Sequence, residues 1–80
     1  MFRVCVVDGV AGFEGFSELR NYSTPEEANN RARREAADII AAMAGGWRIV
    51  RQSTKGGLWG CRLESPLVSG FFVITVAPQD

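Results

Sequence analysis

The sequence contains no histidine, and it has only two cysteines, Cys5 and Cys61, among its 80 residues. Without histidine there can be no Ser-His-Asp or Cys-His nucleophilic site, and the commonest general base is missing. There is also no C-x-x-C pair, the spacing that thiolate metal sites commonly use. Two distant cysteines in strand-like segments are typical of buried free thiols rather than of a secreted disulfide framework. We therefore expect a non-enzymatic protein with no metal and no cofactor.

Long apolar runs are missing as well, although apolar residues make up 46% of the chain. No segment approaches the roughly 20 residues of a membrane span, and no charged leader followed by an apolar core opens the sequence. These absences predict a cytoplasmic protein. The length predicts a single domain over residues 1–80 with a modest core.

The apolar pattern predicts an α+β fold with the element order ββαβββ. The second strand has poor alternation near Gly15, which indicates a bulge or an edge position. The first and last strands are apolar on both faces, so we place them in the centre of an antiparallel sheet of four to five strands. A Thr-Lys-Gly-Gly turn is expected to join the third and fourth strands. The strands are predicted over 2–8, 13–22, 47–53, 58–64 and 71–77.

One long helix is predicted within residues 23–46, packed on one face of the sheet to give a two-layer domain. Thr24 is a favourable N-cap, Pro25 suits the first helical position, and Glu27 completes a capping box. Gly45 and Gly46 are expected to end the helix. The residues at helical spacing that define its apolar stripe are Ala28, Ala32, Ala36, Ile39, Ile40 and Met43.

Three glycines recur in the segment DGVAGFEGF, residues 8–16, just after the first strand. Glycines at this spacing can cradle a phosphate, but a phosphate loop leads directly into a helix. Here an extended segment follows, and the helix begins only at Pro25. The segment is therefore interpreted as a hairpin turn that starts at Asp8 and Gly9.

One helix covers only one face of a sheet, and this leaves apolar residues for the other face. The candidates are Cys5 and Val7, together with either Phe71 and Val73 or Phe72 and Ile74. An exposed apolar face would indicate a partner or a homodimer. Long loops, arginine stems and a curled sheet would instead cover it. The sequence leaves both alternatives open, as well as the choice between a monomer and a homodimer.

The charges balance overall, with nine basic and nine acidic residues, but they are unevenly distributed. Residues 47–63 contain four cations and no acid, interleaved with Trp47 and Trp59. Arginine and tryptophan are the favoured anchors of protein interfaces, although the tryptophans could equally pack at the core edge beside solvated arginines. Strand alternation places Arg48 and Arg51 on opposite faces. The candidate partner-binding residues are Arg48, Arg51, Lys55, Trp59 and Arg62.

Cations and aromatic residues on a sheet are also what single-strand nucleic-acid binders use. An RRM, however, has the order βαββαβ and a characteristic aromatic motif, and both are absent here. The chain is also neutral, whereas nucleic-acid binders are commonly basic. A protein partner is therefore the first expectation, and a small nucleic-acid-binding or regulatory module is the alternative. A third possibility is a subunit of a larger complex.

In architecture the chain resembles the small phage-encoded anti-CRISPR proteins. The resemblance lies in the strand-to-helix passage FSELRNYSTPEEANNRARREAADIIAAM and in the hairpin WRIVRQS–TKGG–LWGCRLE. It implies an inhibitor that binds a type I CRISPR effector complex in a bacterial host and blocks recruitment of target DNA. Members of that group that mimic DNA are strongly acidic, so a neutral chain implies steric or allosteric block.

Overall fold

The computed structural model describes residues 1–9 and 15–79, and within them it confirms the order ββαβββ. The described residues form a five-stranded antiparallel sheet with one helix packed on one face. The elements are β1 (Phe2–Asp8), β2 (Gly15–Tyr22), α1 (Pro25–Ala42), β3 (Arg48–Lys55), β4 (Leu58–Glu64) and β5 (Phe71–Pro78).

The strand order across the sheet is β2-β1-β5-β4-β3. The first and last strands, β1 and β5, are interior neighbours, as predicted, and β2 and β3 form the edges. Both edge strands contain an irregularity. In β2 the extra residue lies between Glu18 and Asn21, whereas Gly15 pairs in register with Asp8. The bulge predicted near Gly15 therefore lies further along the strand, where an edge position tolerates the lost pairing.

The strands on either side of the glycine-rich segment, β1 and β2, pair antiparallel, with Asp8 opposite Gly15. Residues 10–14, which include most of the expected turn, lie outside the described residues. Gly9 donates its backbone N–H to the Phe71 carbonyl oxygen at 2.9 Å. A Cβ atom on Gly9 would overlap the Phe71 ring. The role of this glycine is thus to let the ring approach the backbone.

Helix α1 begins with the predicted cap. The Thr24 hydroxyl accepts the Glu27 N–H at 3.2 Å, and it donates to the Glu27 carboxylate. The helix ends at Ala42, before a glycine turn in which Gly45 has a φ of 122°. Only the alanine half of the predicted stripe is buried. Ile39 is partly buried, and Ile40 and Met43 are each 40% exposed near the C-terminal end of the helix.

The core lies between α1 and the central strands, with Leu63, Ile74 and Val4 fully buried. The small side chains of Ala28, Ala32 and Ala36 let the helix lie close to the sheet. The centroid of the Trp47 ring is 4.9 Å from that of Phe72 in an edge-to-face arrangement. Both tryptophans are buried, at 3% and 5% exposure.

The two cysteines are free thiols, as predicted. Cys61 is buried beneath the helix, whereas Cys5 is half-buried and lies opposite Thr75, which is exposed. Burial raises the pKa of the Cys61 thiol to about 11, against a smaller lowering by a backbone hydrogen bond from Ile74. In the described part of the chain, no helix is long and apolar enough to cross a bilayer.

Candidate functional site: the basic surface of the β3–β4 hairpin

The sheet face that points away from α1, here called the outer face, carries the apolar residues that the helix leaves uncovered. Phe72 and Ile74 are buried beneath the helix, so alternation assigns Phe71 and Val73 to the outer face. Phe71 is half-buried, and the Arg62 guanidinium lies 4.4 Å from its ring centroid. An arginine thus covers part of the apolar surplus.

A bulge at Val50 places the hairpin cations on the outer face together. Arg48 lies opposite Glu64, and Arg51 lies opposite Arg62, with the register shift between them. Directly opposed residues of an antiparallel pair share a face. The prediction that Arg48 and Arg51 point to opposite faces is therefore wrong. The extra residue in β3 shifts the alternation of side chains by one position, so both arginines point to the outer face. We call the resulting set Arg48, Arg51, Lys55 and Arg62 the basic surface.

The centre of the basic surface is a cross-strand pair of like charges, Arg51 and Arg62. Arg62 is held in place: its Nε lies 2.7 Å from a carboxylate oxygen of Glu64, and its guanidinium stacks on Phe71. Across the described residues, Arg48, Arg51 and Lys55 form no ion pair. The two strands of the hairpin thus carry four cations and one carboxylate, Glu64, and the surface carries an excess of positive charge.

A shallow hollow of ≈ 290 Å³ lies beside this pair on the outer face. Gly60 and Val73 line part of it and add no polar side chain. Two hydroxyl-bearing residues, Ser53 and Thr75, contribute to the lining along with Arg51 and Arg62. Guanidinium groups donate hydrogen bonds to carboxylate and phosphate oxygens, so the two arginines are the groups of this hollow that suit an anion.

Trp59 is not part of this surface, although the sequence grouped it with the cations. It is 5% exposed and lies on the helix side of the sheet. Its Nε1 donates to the Gln52 Oε1 at 3.3 Å, and the Arg33 guanidinium lies 5.4 Å from its ring centroid. Strand alternation separates it from Arg62. Its role in the structure is to anchor the hairpin to the core.

Asn29 of α1 fixes the position of the hairpin, which the sequence did not predict. Its side-chain oxygen accepts the Trp59 backbone N–H at 2.9 Å, and its side-chain nitrogen donates to the Gly57 carbonyl at 2.8 Å. Asn29 and Asn30 are adjacent and alike in the sequence, and only the fold shows that Asn29 contacts the hairpin. The bulge at Val50 likewise has no signal in the sequence.

The basic surface has the chemistry of binding rather than of proton transfer. Its members are three arginines and one lysine, whose side chains donate hydrogen bonds and do not accept them. Within residues 1–9 and 15–79 no cluster of three or more histidine, cysteine, aspartate or glutamate side chains could hold a metal ion. Comparisons with protein-family models, curated proteins and solved structures found no match for this chain.

Proposed function

We propose that this protein is a non-enzymatic inhibitor that binds an acidic surface of another protein through the basic surface of its β3–β4 hairpin. The observation that supports this proposal is the pair Arg51 and Arg62, opposed across two strands with one carboxylate nearby. Like charges in directly opposite positions destabilise a sheet. Features that cost stability are expected where a protein binds or acts.

The contacts of the pair favour a protein partner over a single-stranded nucleic acid. Single-strand binders present aromatic rings on which bases stack. Here both tryptophans are buried on the helix side, and the Arg62 guanidinium lies over the Phe71 ring. Val50 is 44% exposed beside the cations, which adds apolar contact area to the surface. Arginines beside apolar residues are typical of interface anchors.

The target class follows from the resemblance to small anti-CRISPR proteins. It implies binding to a type I CRISPR effector complex in the bacterial cytoplasm, with steric or allosteric block of target DNA recruitment. The chain has zero net charge, so its mode of action would differ from that of an acidic DNA mimic. The resemblance is one of architecture, an antiparallel sheet with one helix.

The experiment is a tagged pull-down from bacterial lysate, with and without nuclease, followed by mass spectrometry and a salt series. We expect a stoichiometric protein partner that survives nuclease. If type I effector subunits are captured, the protein should also reduce the fraction of target DNA bound by the purified effector. A partner set that vanishes with nuclease would overturn the proposal.

The alternative function is a small nucleic-acid-binding module, and the hollow beside Arg51 and Arg62 is the observation that favours it. Phosphate contacts release counterions, so the affinity would fall steeply as salt increases. A protein interface with an apolar component would lose much less affinity over the same range. The salt series in the pull-down therefore distinguishes the two functions.

A further inference from the structure

Strand β3 is an edge of the sheet and pairs with β4 on one side. All eight of its residues are exposed. An edge strand presents backbone N–H and C=O groups that an extended segment of another chain can pair with. The bulge at Val50 interrupts this edge near its start and leaves a regular stretch from Arg51 to Lys55.

The free backbone groups of this stretch can be identified from one hydrogen bond. The Trp59 N–H donates to Asn29 rather than to β3, so Thr54 and Trp59 form a non-hydrogen-bonded pair. The pairing type alternates along the ladder, so Gln52 and Cys61 form another such pair. The backbone N–H and C=O groups of Gln52 and Thr54 therefore point away from β4.

The charges of β3 indicate what kind of segment could pair with it. The strand has three cations, Arg48, Arg51 and Lys55, and no acidic residue. Antiparallel pairing of two copies about the middle of the regular stretch would place Arg51 of each copy opposite Lys55 of the other. Opposed like charges destabilise such pairing. A segment with acidic residues on the outer face would instead complement Arg51 and Lys55.

We propose that the partner adds an acidic extended segment to the sheet as a sixth strand alongside β3. Its backbone pairs with the free groups of Gln52 and Thr54. Its alternate side chains are carboxylates that contact Arg51 and Lys55 across the outer face. This inference rests on the proposed function, since it specifies how the basic surface engages an acidic partner.

The test uses a synthetic peptide of about six residues, a common strand length, in which Glu and Val alternate. Its affinity is measured for the wild-type protein, Thr54→Pro, Thr54→Val and Arg51→Glu. Proline at position 54 removes an outward N–H and leaves the β3–β4 hydrogen bonds in place. Thr54→Val retains the N–H and is the matched control. Thermal unfolding confirms that each variant folds.

We expect Thr54→Pro to bind the peptide about tenfold more weakly than Thr54→Val, because the hydrogen bond from the backbone N–H of residue 54 to the peptide is lost. Arg51→Glu should also lose affinity. In the wild-type protein, the amide protons of Gln52 and Thr54 should exchange fast when free and become protected when the peptide is bound. This exchange measurement requires no variant to fold.

The outcomes separate the two proposals. If Arg51→Glu loses binding while Thr54→Pro does not, and the two amides stay unprotected, the strand-addition inference is overturned and the proposed function stands. If neither variant loses affinity for the peptide, the strand-addition inference and the proposed function are both overturned. A peptide that does not bind at millimolar concentration overturns strand addition. Protection of the two amides that depends on protein concentration alone would identify a second copy as the occupant and would also overturn it.

Discussion

Arg51 of β3 lies directly opposite Arg62 of β4, with both side chains on the outer face of the sheet. The two arginines differ in how they are held. Arg62 bonds to Glu64 and stacks on Phe71, whereas Arg51 forms no ion pair across the described residues. Arg62 is therefore held in position by its neighbours, and Arg51 is available to bind a partner. The repulsion between the two like charges lowers the stability of the sheet.

Replacing Arg51 by glutamate should leave the fold at least as stable as the wild type. The change converts a like-charge cross-strand pair into an opposite-charge pair, which we expect to raise the free energy of unfolding by about 0.2–1 kcal/mol. Denaturant unfolding at low and high salt measures this, and the gain should shrink as salt screens the charges. A loss above about 1 kcal/mol would show that Arg51 has a structural role.

Removal of the Asn29 side chain should loosen the hairpin. Asn29→Ala removes the partner of the Trp59 N–H and of the Gly57 carbonyl, and this should cost about 0.5–1.5 kcal/mol of unfolding free energy. Asn30→Ala is the matched control, because it makes the same change at the next, exposed helix position, whose side chain forms no hydrogen bond with the described residues. Chemical denaturation should show little or no loss for Asn30→Ala. Equal losses would contradict the two-bond account.

The β3–β4 turn should be sensitive to backbone conformation and insensitive to side-chain size. Gly56 and Gly57 have φ values of 58° and 76°, and a Cβ at either would meet nothing within 4 Å. Gly57→Ala should therefore lower the unfolding free energy by about 1 kcal/mol through backbone strain alone. Gly56→Asn should leave the unfolding free energy nearly unchanged, since asparagine is a preferred residue at the first position of such two-residue turns. Thermal melts that rank the two variants in the reverse order would contradict the assignment.

The stability of the protein should fall at high pH through Cys61. The folded state keeps this thiol protonated, because burial raises its pKa from 9.0 to about 11. As pH rises, the Cys61 thiol loses its proton in the unfolded chain before it does so in the folded protein. The free energy of unfolding is therefore unaffected by this thiol below pH 9 and decreases between pH 9 and about 11. Unfolding curves of the wild type and Cys61→Ala across this range measure the effect. The decrease should be smaller in Cys61→Ala, and identical pH slopes would rule out the thiol as its cause.

Much of the fold was predictable because it follows from local patterns. The apolar pattern located β1 and β5 and their central position, and Thr24, Pro25 and Glu27 located the start of the helix. The two turn glycines set the β3–β4 hairpin. Each of these features depends on neighbouring residues or on a simple period, which is what a single sequence expresses.

The candidate site was predicted only in part, since its geometry depends on one unmarked residue. Ideal alternation separates Arg48 from Arg51, and the bulge at Val50 brings them to the same face. The sequence also grouped Trp59 with the cations, although it packs on the opposite face. Whether a tryptophan near a basic run is exposed depends on what the helix covers, and a single sequence does not show that.

The measurement that tests the central claim most directly is partner capture by matched charge-reversal variants. Arg51→Glu and Arg62→Glu change the basic surface, and Arg34→Glu makes the same charge change at an exposed position of α1. Thermal melts establish that all three variants are folded. The account predicts that the first two lose partner capture and inhibition, while Arg34→Glu keeps both. Retained capture and inhibition in both Arg51→Glu and Arg62→Glu would contradict the account.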